Sequence, residues 1–295
     1  MSRRNHTRFP MADTKKSMGT RPDLATMGGL VLALGGIIGG LILEGGHIGQ
    51  ILQGTAAMIV FGGTLGAVMV TTPLGVLKGA ARRLMAVFFE KSQSPEQAIE
   101  EIIGYATKAR KDGIVSLEAA ADTAADPFLR KALNLAVDGT DLQELRKMME
   151  LDITQEEQRA EAEAKVFAAA GGYAPTIGII GAVLGLIQVM QKLADIEEVG
   201  RGIGVAFVAT VYGVGSANIF FLPAGDKIRA RMAAEVQMKE LMLEGVIGIV
   251  EGLNPKLIRI KLGAYLERPA TGGAKSNAKS SASVRVEPAP QAVET

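Results

Sequence analysis

Four long stretches without a charged side chain constrain this chain of 295 residues more than any other feature. None of the four contains Asp, Glu, Lys, Arg or His. A helix needs about 20 apolar residues to cross the hydrocarbon core of a bilayer. The alternative, a soluble protein with four long buried core helices, is disfavoured by that length rule. The predicted transmembrane helices are residues 24–43, 50–72, 172–191 and 202–223.

The charges beside these spans predict how the chain is oriented. Six Lys or Arg residues precede the first span, whereas the first hairpin, "EGGH", has none. Lys and Arg also follow the second and fourth spans, and the loop between the third and fourth is acidic on balance. Because basic residues collect on the cytoplasmic side, both termini are predicted to be cytoplasmic.

The spacing of the spans predicts an all-α, polytopic membrane protein with a large helical cytoplasmic domain. Ser94 with Pro95 and Gln97 forms a helix-start signal within that domain, and Gly139 is typical of a helix end. We divide the chain into a basic N-terminal tail, the first two spans, a cytoplasmic helical domain, the last two spans, C-terminal helices and a disordered tail. The respective boundaries are 1–23, 24–74, 75–170, 171–223, 224–266 and 267–295.

Composition argues against several functional classes. The chain has 32 basic and 31 acidic residues, a balance that gives no indication of nucleic-acid binding. It has no Cys, and its two His residues lie in a tail and a hairpin, so no metal site and no cofactor is predicted. No phosphate-binding glycine loop of the GxxxxGK[ST] type occurs. We therefore predict that the chain is not an enzyme.

Small residues form a stripe on one face of each of the last two spans. Proteins that move ions alone normally hold an ionisable group in the membrane, and these spans have none. Either the two stripes pack against each other, or part of their surface receives a helix from another polypeptide that brings the missing acid. The stripes are Pro175, Gly178, Ala182 and Gly185, and Ala206, Thr210, Gly213 and Ala217.

Several separated motifs resemble the MotA/PomA family of bacterial flagellar stator subunits. They are "ATKARKDGIVSLE", "GGYAPTIGIIGAVLGLI", "VAFVATVYGVGSANIFFLPAGDKI" and "EGLNPKLIRIKLGAYL", and the resemblance runs from about Leu24 to Leu266. It implies a ring of five such subunits in the bacterial inner membrane around a MotB-type dimer, whose single-span helices carry an ion-binding Asp. It also implies that ion flow turns the ring against the rotor protein FliG. On this resemblance, the small residues form an inner wall for the partner's helix.

Family roles transfer only to the positions that match. The resemblance implies that Pro175 and Pro223 couple ion binding to conformational change, and that Thr210 is the threonine of the pore. Proline removes an N–H donor and permits a helix to bend. Each proline is equally typical of an ordinary helix start or stop. In the cytoplasmic domain, Arg110 and Glu118 match the charged pair that faces FliG.

Lys111 lies beside that pair in "ARKDG". Without the resemblance, these charges would be interpreted as a solvated helix face.

The identity of the ion depends on two other positions. The resemblance implies that sodium-driven members of the family carry Thr where this chain has Ala182. It also implies that PomA carries Asp where this chain has Gln53. A bare cation needs several oxygen ligands, whereas a proton needs an acid and water, so Ala182 favours protons. Other segments are at least as similar to the sodium-type members.

Two other functions stay open. An ExbB/TolQ-type energiser of outer-membrane processes shares the plan of a ring around a partner. That family has three spans, an external N-terminus and no segment like Arg110 to Glu118, which disfavours it. A scaffold without ion coupling is the remaining alternative.

Overall fold

The computed structural model describes residues 21–22, 24–87, 89–90 and 94–266. The predicted disordered tail at 267–295 and almost all of the basic tail lie outside the described residues. The helices are α1 (Leu24–Leu43), α2 (Gly54–Ala57), α3 (Gly63–Thr71), α4 (Leu74–Val87), α5 (Pro95–Asp112), α6 (Glu118–Thr123), α7 (Pro127–Val137), α8 (Leu142–Gln191), α9 (Ile196–Ser216), α10 (Leu222–Val250) and α11 (Pro255–Leu266). Two residue pairs, β1 (Arg21–Pro22) and β2 (Phe89–Glu90), form a short antiparallel bridge that was not predicted.

The all-α membrane fold is confirmed. Four helices of the described chain are long and apolar enough to cross a membrane. The first, α1, has the predicted bounds and none of its described residues is buried. The second runs continuously over Gly54–Thr71 and joins α2 and α3 through a π-helical turn, Met58–Gly62.

The last two spans are parts of much longer helices than the charge-free stretches indicated. α8 contains 50 residues, so the predicted boundary at 170/171 falls inside a continuous helix. The fourth span likewise continues from Ile196 to Val250 through the π-helical segment Ala217–Phe221. The expected continuation of this span into a long C-terminal helix is confirmed. No loop separates the membrane part of either helix from its part outside the membrane.

A helical domain lies outside the predicted spans and has its own apolar core. α5, α6, α7 and α11 pack there around the first part of α8 and the last part of α10, and we call this assembly the extramembrane domain. The Ser94 hydroxyl accepts a hydrogen bond from the Gln97 N–H, as the helix-start signal predicted. Gly139 ends the α7 turn with φ +75°, the left-handed conformation that glycine adopts most easily.

A second apolar cluster lies between the spans and the extramembrane domain. It joins the end of α3, α4, the middle of α8 and the start of α10. Phe167 and Ile228 are its large buried side chains, and Ala80, Ala164 and Ala224 allow the helices to approach. This cluster connects the second span to both long helices.

Candidate functional site

α8 and α9 cross the membrane together, and their glycines bring the two backbones into direct contact. A Cβ on Gly178 would lie 2.9 Å from the carbonyl oxygen of Ala209. A Cβ on Gly213 would lie 2.5 Å from the carbonyl oxygen of Ala174, and one on Gly185 would also meet the backbone of α9 at 3.0 Å. Small residues allow this close approach, which replaces side-chain packing by contacts between main chains.

The glycines of the two stripes therefore pack within the chain. The expectation that they form an open wall for a partner helix is corrected for Gly178, Gly185 and Gly213, which are buried against the neighbouring helix. Ala206 and Ala217 are buried as well. The physical reason is that a surface of small residues is just as suited to a partner within the chain as to one outside it.

Three of the predicted ion-pathway residues remain partly exposed on the same pair of helices. Pro175, Ala182 and Thr210 are half-buried in the chain. The Thr210 hydroxyl donates a 3.3 Å hydrogen bond to the Ala206 carbonyl one turn earlier in α9. Because its hydrogen is used in this way, its oxygen lone pairs remain as acceptors for water or a cation.

The two predicted coupling prolines lie on neighbouring helices at different levels, since a Cβ on Gly213, which precedes Pro223 by 10 residues, would lie 3.2 Å from the Pro175 Cα. Pro175 lies inside α8, where it leaves the Gly171 carbonyl without its helical donor. Pro223 lies two residues after the end of the π-helical segment, and it is exposed. A Cβ on Gly171 would lie 2.6 Å from the Leu222 side chain, so the weakened turn of α8 abuts the residue before Pro223. Neither proline is an ordinary helix start or stop within a continuous 50- or 55-residue helix.

Tyr212 connects the fourth span to the entrance of the second span. Its hydroxyl donates to the Ile51 carbonyl and accepts a 3.3 Å hydrogen bond from the Gln53 N–H. Its ring lies 5.9 Å from that of Phe61. The Gln53 Oε1 and the Thr64 Oγ1 are buried and have no hydrogen-bond partner among the described residues. Sequence reasoning singled out Gln53 but missed Tyr212 and Thr64.

The predicted rotor-facing residues lie on one turn of the extramembrane domain. Arg110 and Lys111 are in the last turn of α5, and Glu118 begins α6 after a 3-10 turn. Gly113 reverses the chain between them with φ +82°, and Leu117 anchors the turn with a fully buried side chain. All three charged side chains are exposed, and within the described part of the chain none makes an ion pair. The turn presents unneutralised charge of both signs to solvent.

A buried acid below the spans was not anticipated from the sequence. Glu163 of α8 is 4% exposed and accepts a hydrogen bond from Arg83 of α4. Burial acts to lower the pKa of Arg83, but the hydrogen bonds to Glu163 and Glu156, together with the negative charges of Glu163 and Glu235, outweigh this effect and raise that pKa. The described ranges contain no group of three or more His, Cys, Asp or Glu residues that could hold a metal ion.

Comparison with known proteins places this geometry in a family. Residues 27–112 match the family described as motility protein A N-terminal, and residues 120–241 match the MotA/TolQ/ExbB proton channel family. Motility protein A of Bacillus subtilis (strain 168) is 34% identical over 245 residues, which are 83% of this chain and 91% of that protein. Motility protein A of Helicobacter pylori (strain ATCC 700392 / 26695) is 36% identical over 244 residues, 83% of this chain and 95% of that protein.

The similarity extends to a chemotaxis protein and to solved structures. Chemotaxis protein PomA of Vibrio alginolyticus is 33% identical over 83% of this chain and 95% of its own length. The C. jejuni MotAB structure aligns with TM-score 0.79 and 32% identity, and covers 84% of this chain and 98% of that one. The flagellar MotAB stator complex of Bacillus subtilis aligns with TM-score 0.76 and 33% identity, over 82% and 95% of the two chains.

Fold and site together define a multi-pass membrane subunit of the proton-channel class, with two close-packed spans extended into a helical domain. Within that class, the chain belongs to the motility protein A family. The resemblance read from the motifs is confirmed. The match to the motility protein A N-terminal model favours this family over the ExbB/TolQ alternative.

Proposed function

We propose that this chain is the ion-conducting stator subunit of a bacterial flagellar motor. The observation that carries the proposal is agreement along nearly the whole fold, since the match covers 98% of the C. jejuni MotAB chain. Agreement of this extent includes the spans, the two long helices and the extramembrane domain. In this proposal the subunit acts by changing conformation, and it catalyses no chemical reaction.

The ion path needs a second polypeptide. The four spans contain no Asp, Glu, Lys, Arg or His, and a bare proton or cation in the membrane requires a charged partner. A MotB-type single-span subunit supplies an Asp in this proposal, and five copies of the present chain surround its dimer. The half-buried residues Pro175, Ala182 and Thr210 form the surface that faces this partner, with Thr210 as an acceptor near the ion.

The extramembrane domain delivers the motion to the rotor protein FliG. Arg110, Lys111 and Glu118 are exposed and carry no ion pair in the described part of the chain, so they can pair with charges on another protein. Both termini and this domain lie in the cytoplasm, and the spans lie in the inner membrane. The basic residues of α4, such as Lys78 and Arg82, support that orientation.

The rotor contact is tested by reversing charges on the exposed turn. Arg110→Glu and Glu118→Lys should abolish or strongly reduce swimming, because like charges then face FliG at each position. Co-purification with the partner subunit and ion flow through the complex should persist. Lys147→Glu is a matched control, since Lys147 is exposed on α8 and carries no ion pair in the described chain.

The outcomes separate the possibilities. Loss of ion flow in both variants would contradict a rotor-facing role for this turn. Normal swimming after deletion of the chain would contradict the stator function itself, unless a second stator is present, which its own deletion would reveal. Impaired uptake of iron complexes with normal swimming would indicate an energiser of outer-membrane processes.

A further inference from the structure

Three helices meet at a buried ion pair just below the membrane spans. Glu163 of α8 is 4% exposed, although it carries a carboxylate. Arg83, from the helix that follows the second span, donates its Nε–H to the Glu163 Oε2. A buried charged group is costly unless it is paired, and the guanidinium of Arg83 supplies that partner to the Glu163 carboxylate.

The guanidinium of Arg83 contacts two helices at once. Its Nη2 lies 3.4 Å from the Glu156 Oε1 on α8, and its Nη1 lies 4.0 Å from the Glu235 Oε2 on α10. The same Nη1 is 4.0 Å from the sulfur of Met232, also on α10. A planar, forked cation can satisfy several partners in fixed directions, which the single point charge of Lys cannot do.

A glycine shapes the other side of the carboxylate. A Cβ on Gly79 of α4 would overlap the Glu163 Oε1. The same oxygen is 3.5 Å from the Nε of Arg159. The backbone of α4 therefore lies directly on the carboxylate, and the position of the acid depends on the absence of a side chain at Gly79.

The pair lies at a defined distance from both prolines. Glu163 precedes Pro175 by 12 residues of the same helix, about 18 Å along its axis. Met232 and Glu235 follow Pro223 by 9 and 12 residues on the neighbouring long helix. The contact thus ties α8 and α10 to each other and to α4 at the same level beneath the two weakened turns.

A buried ion pair adds little net stability compared with apolar residues of similar volume, but it fixes one relative arrangement of the groups that hold it. We propose that Arg83 and Glu163 form a clamp that makes α4, α8 and α10 move as one body, so that motion of the spans reaches the extramembrane domain. This role rests on the proposed stator function. Both residues are positioning residues, since neither touches the ion nor the rotor.

Gly79→Ala tests the clamp while leaving every charge in place. The added methyl must displace the Glu163 carboxylate, and we expect at least a two-fold loss of stall torque per stator unit, measured on single motors with tethered beads. Ion flow and co-purification with the partner subunit should match the wild type. Gly75→Ala is the matched control, because it lies one turn earlier on α4 with nothing within 4 Å of its added Cβ.

Glu163→Gln removes the charge but keeps the shape, and it should give the same loss of torque with retained assembly. The clamp is refuted if either variant keeps full stall torque. It is also refuted if torque, ion flow and assembly fall together, since the pair would then serve folding alone. Each comparison is made against the wild-type chain in the same motor, so a wild type that drives no motility would refute the stator function instead.

Discussion

At the scale of single residues, the glycines of α8 have very different surroundings although they look alike in the sequence. Gly178 lies against the Ala209 carbonyl, whereas Gly172 is exposed and a Cβ added to it would meet nothing within 4 Å. The spacing of small residues predicted that a helix would approach this face. It could not predict which helix, because the same residues suit a neighbour from the same chain or from another.

Gly178→Ala should therefore destabilise the protein while Gly172→Ala should not. Overpacking against a backbone carbonyl costs about 1–3 kcal/mol, which exceeds the gain of up to about 1 kcal/mol that Ala brings to a helix interior. Gly172→Ala receives that gain without the clash. The thermal unfolding midpoint of the purified protein in detergent measures both changes. Equal midpoints for the two variants would show that α8 and α9 do not approach so closely in the membrane.

At the scale of helices, the ends of the spans were predicted well only where a charge or a turn marks them. The first span has the predicted bounds, and α8 ends at Gln191 as expected. The helix begins at Leu142, 30 residues before the predicted start of the third span at residue 172. The prediction placed the start there because Gly171, Gly172 and Pro175 resemble helix-stop signals. In the fold, Gly171 packs against a neighbouring helix within a continuous α8, and tertiary contact of this kind overrides weak helix propensity.

The connection between α8, α10 and α11 depends on a carboxylate. Glu244 of α10 accepts hydrogen bonds from Lys261 at 2.6 Å and from Arg146 at 2.9 Å. Burial acts to raise the pKa of Glu244, but the hydrogen bonds from Lys261 and Arg146 and the positive charges of these two residues together outweigh it and hold the pKa below the usual 4.5. Because the folded-state pKa is depressed, this stabilisation is present above the unfolded value of 4.5 and is lost as pH falls through the folded value.

Glu244→Gln should thus lower the unfolding midpoint at pH 7 and flatten its decline on acidification below about pH 4.5. Glu240→Gln is the control, since Glu240 is exposed one turn earlier and has no ion pair in the described chain. Midpoints measured from pH 7 to pH 3 in detergent give both slopes. If the Glu244 variant lost stability with acid as steeply as the wild type, the three-way contact would not contribute to it.

At the scale of the whole molecule, a single position bears on the identity of the ion. Identity to motility protein A of Bacillus subtilis and to PomA is almost the same, 34% and 33%, so overall similarity does not decide it. Ala182 offers no oxygen to a metal cation, which predicts proton-driven motility. Swimming should then persist without sodium and should stop when a protonophore collapses the proton gradient.

Ala182→Thr is the complementary change, and it adds a hydroxyl beside the proposed path. We expect wild-type cells to swim equally at low and high sodium, and the variant to lose speed at low sodium because the added hydroxyl is an oxygen ligand for the cation. Ala182→Val is the matched control, because it adds similar volume without an oxygen. Sodium-dependent swimming of the wild type would contradict the proton prediction.

Long-range contacts were the part of the molecule that the sequence could not predict. Glu163 is one of several acids in "QEEQRAEAEAK", and nothing in the local sequence distinguishes it from the other acids, none of which is fully buried. Its burial arises because α4 returns from the membrane and places Gly79 and Arg83 on that face of α8. By contrast, the resemblance predicted a rotor contact at Arg110, Lys111 and Glu118, and these residues lie on one exposed turn.

The continuity of α8 and of the 55-residue helix from Ile196 to Val250 has a mechanical consequence. A straight helix of 50 residues is about 75 Å long and is stiff along its axis. No flexible loop lies between its two ends to act as a spring, and bending is easiest at the turns where Pro175 and Pro223 remove a hydrogen bond. Any elasticity that smooths discrete ion-driven steps must then come from those two turns or from contacts between separate protein chains.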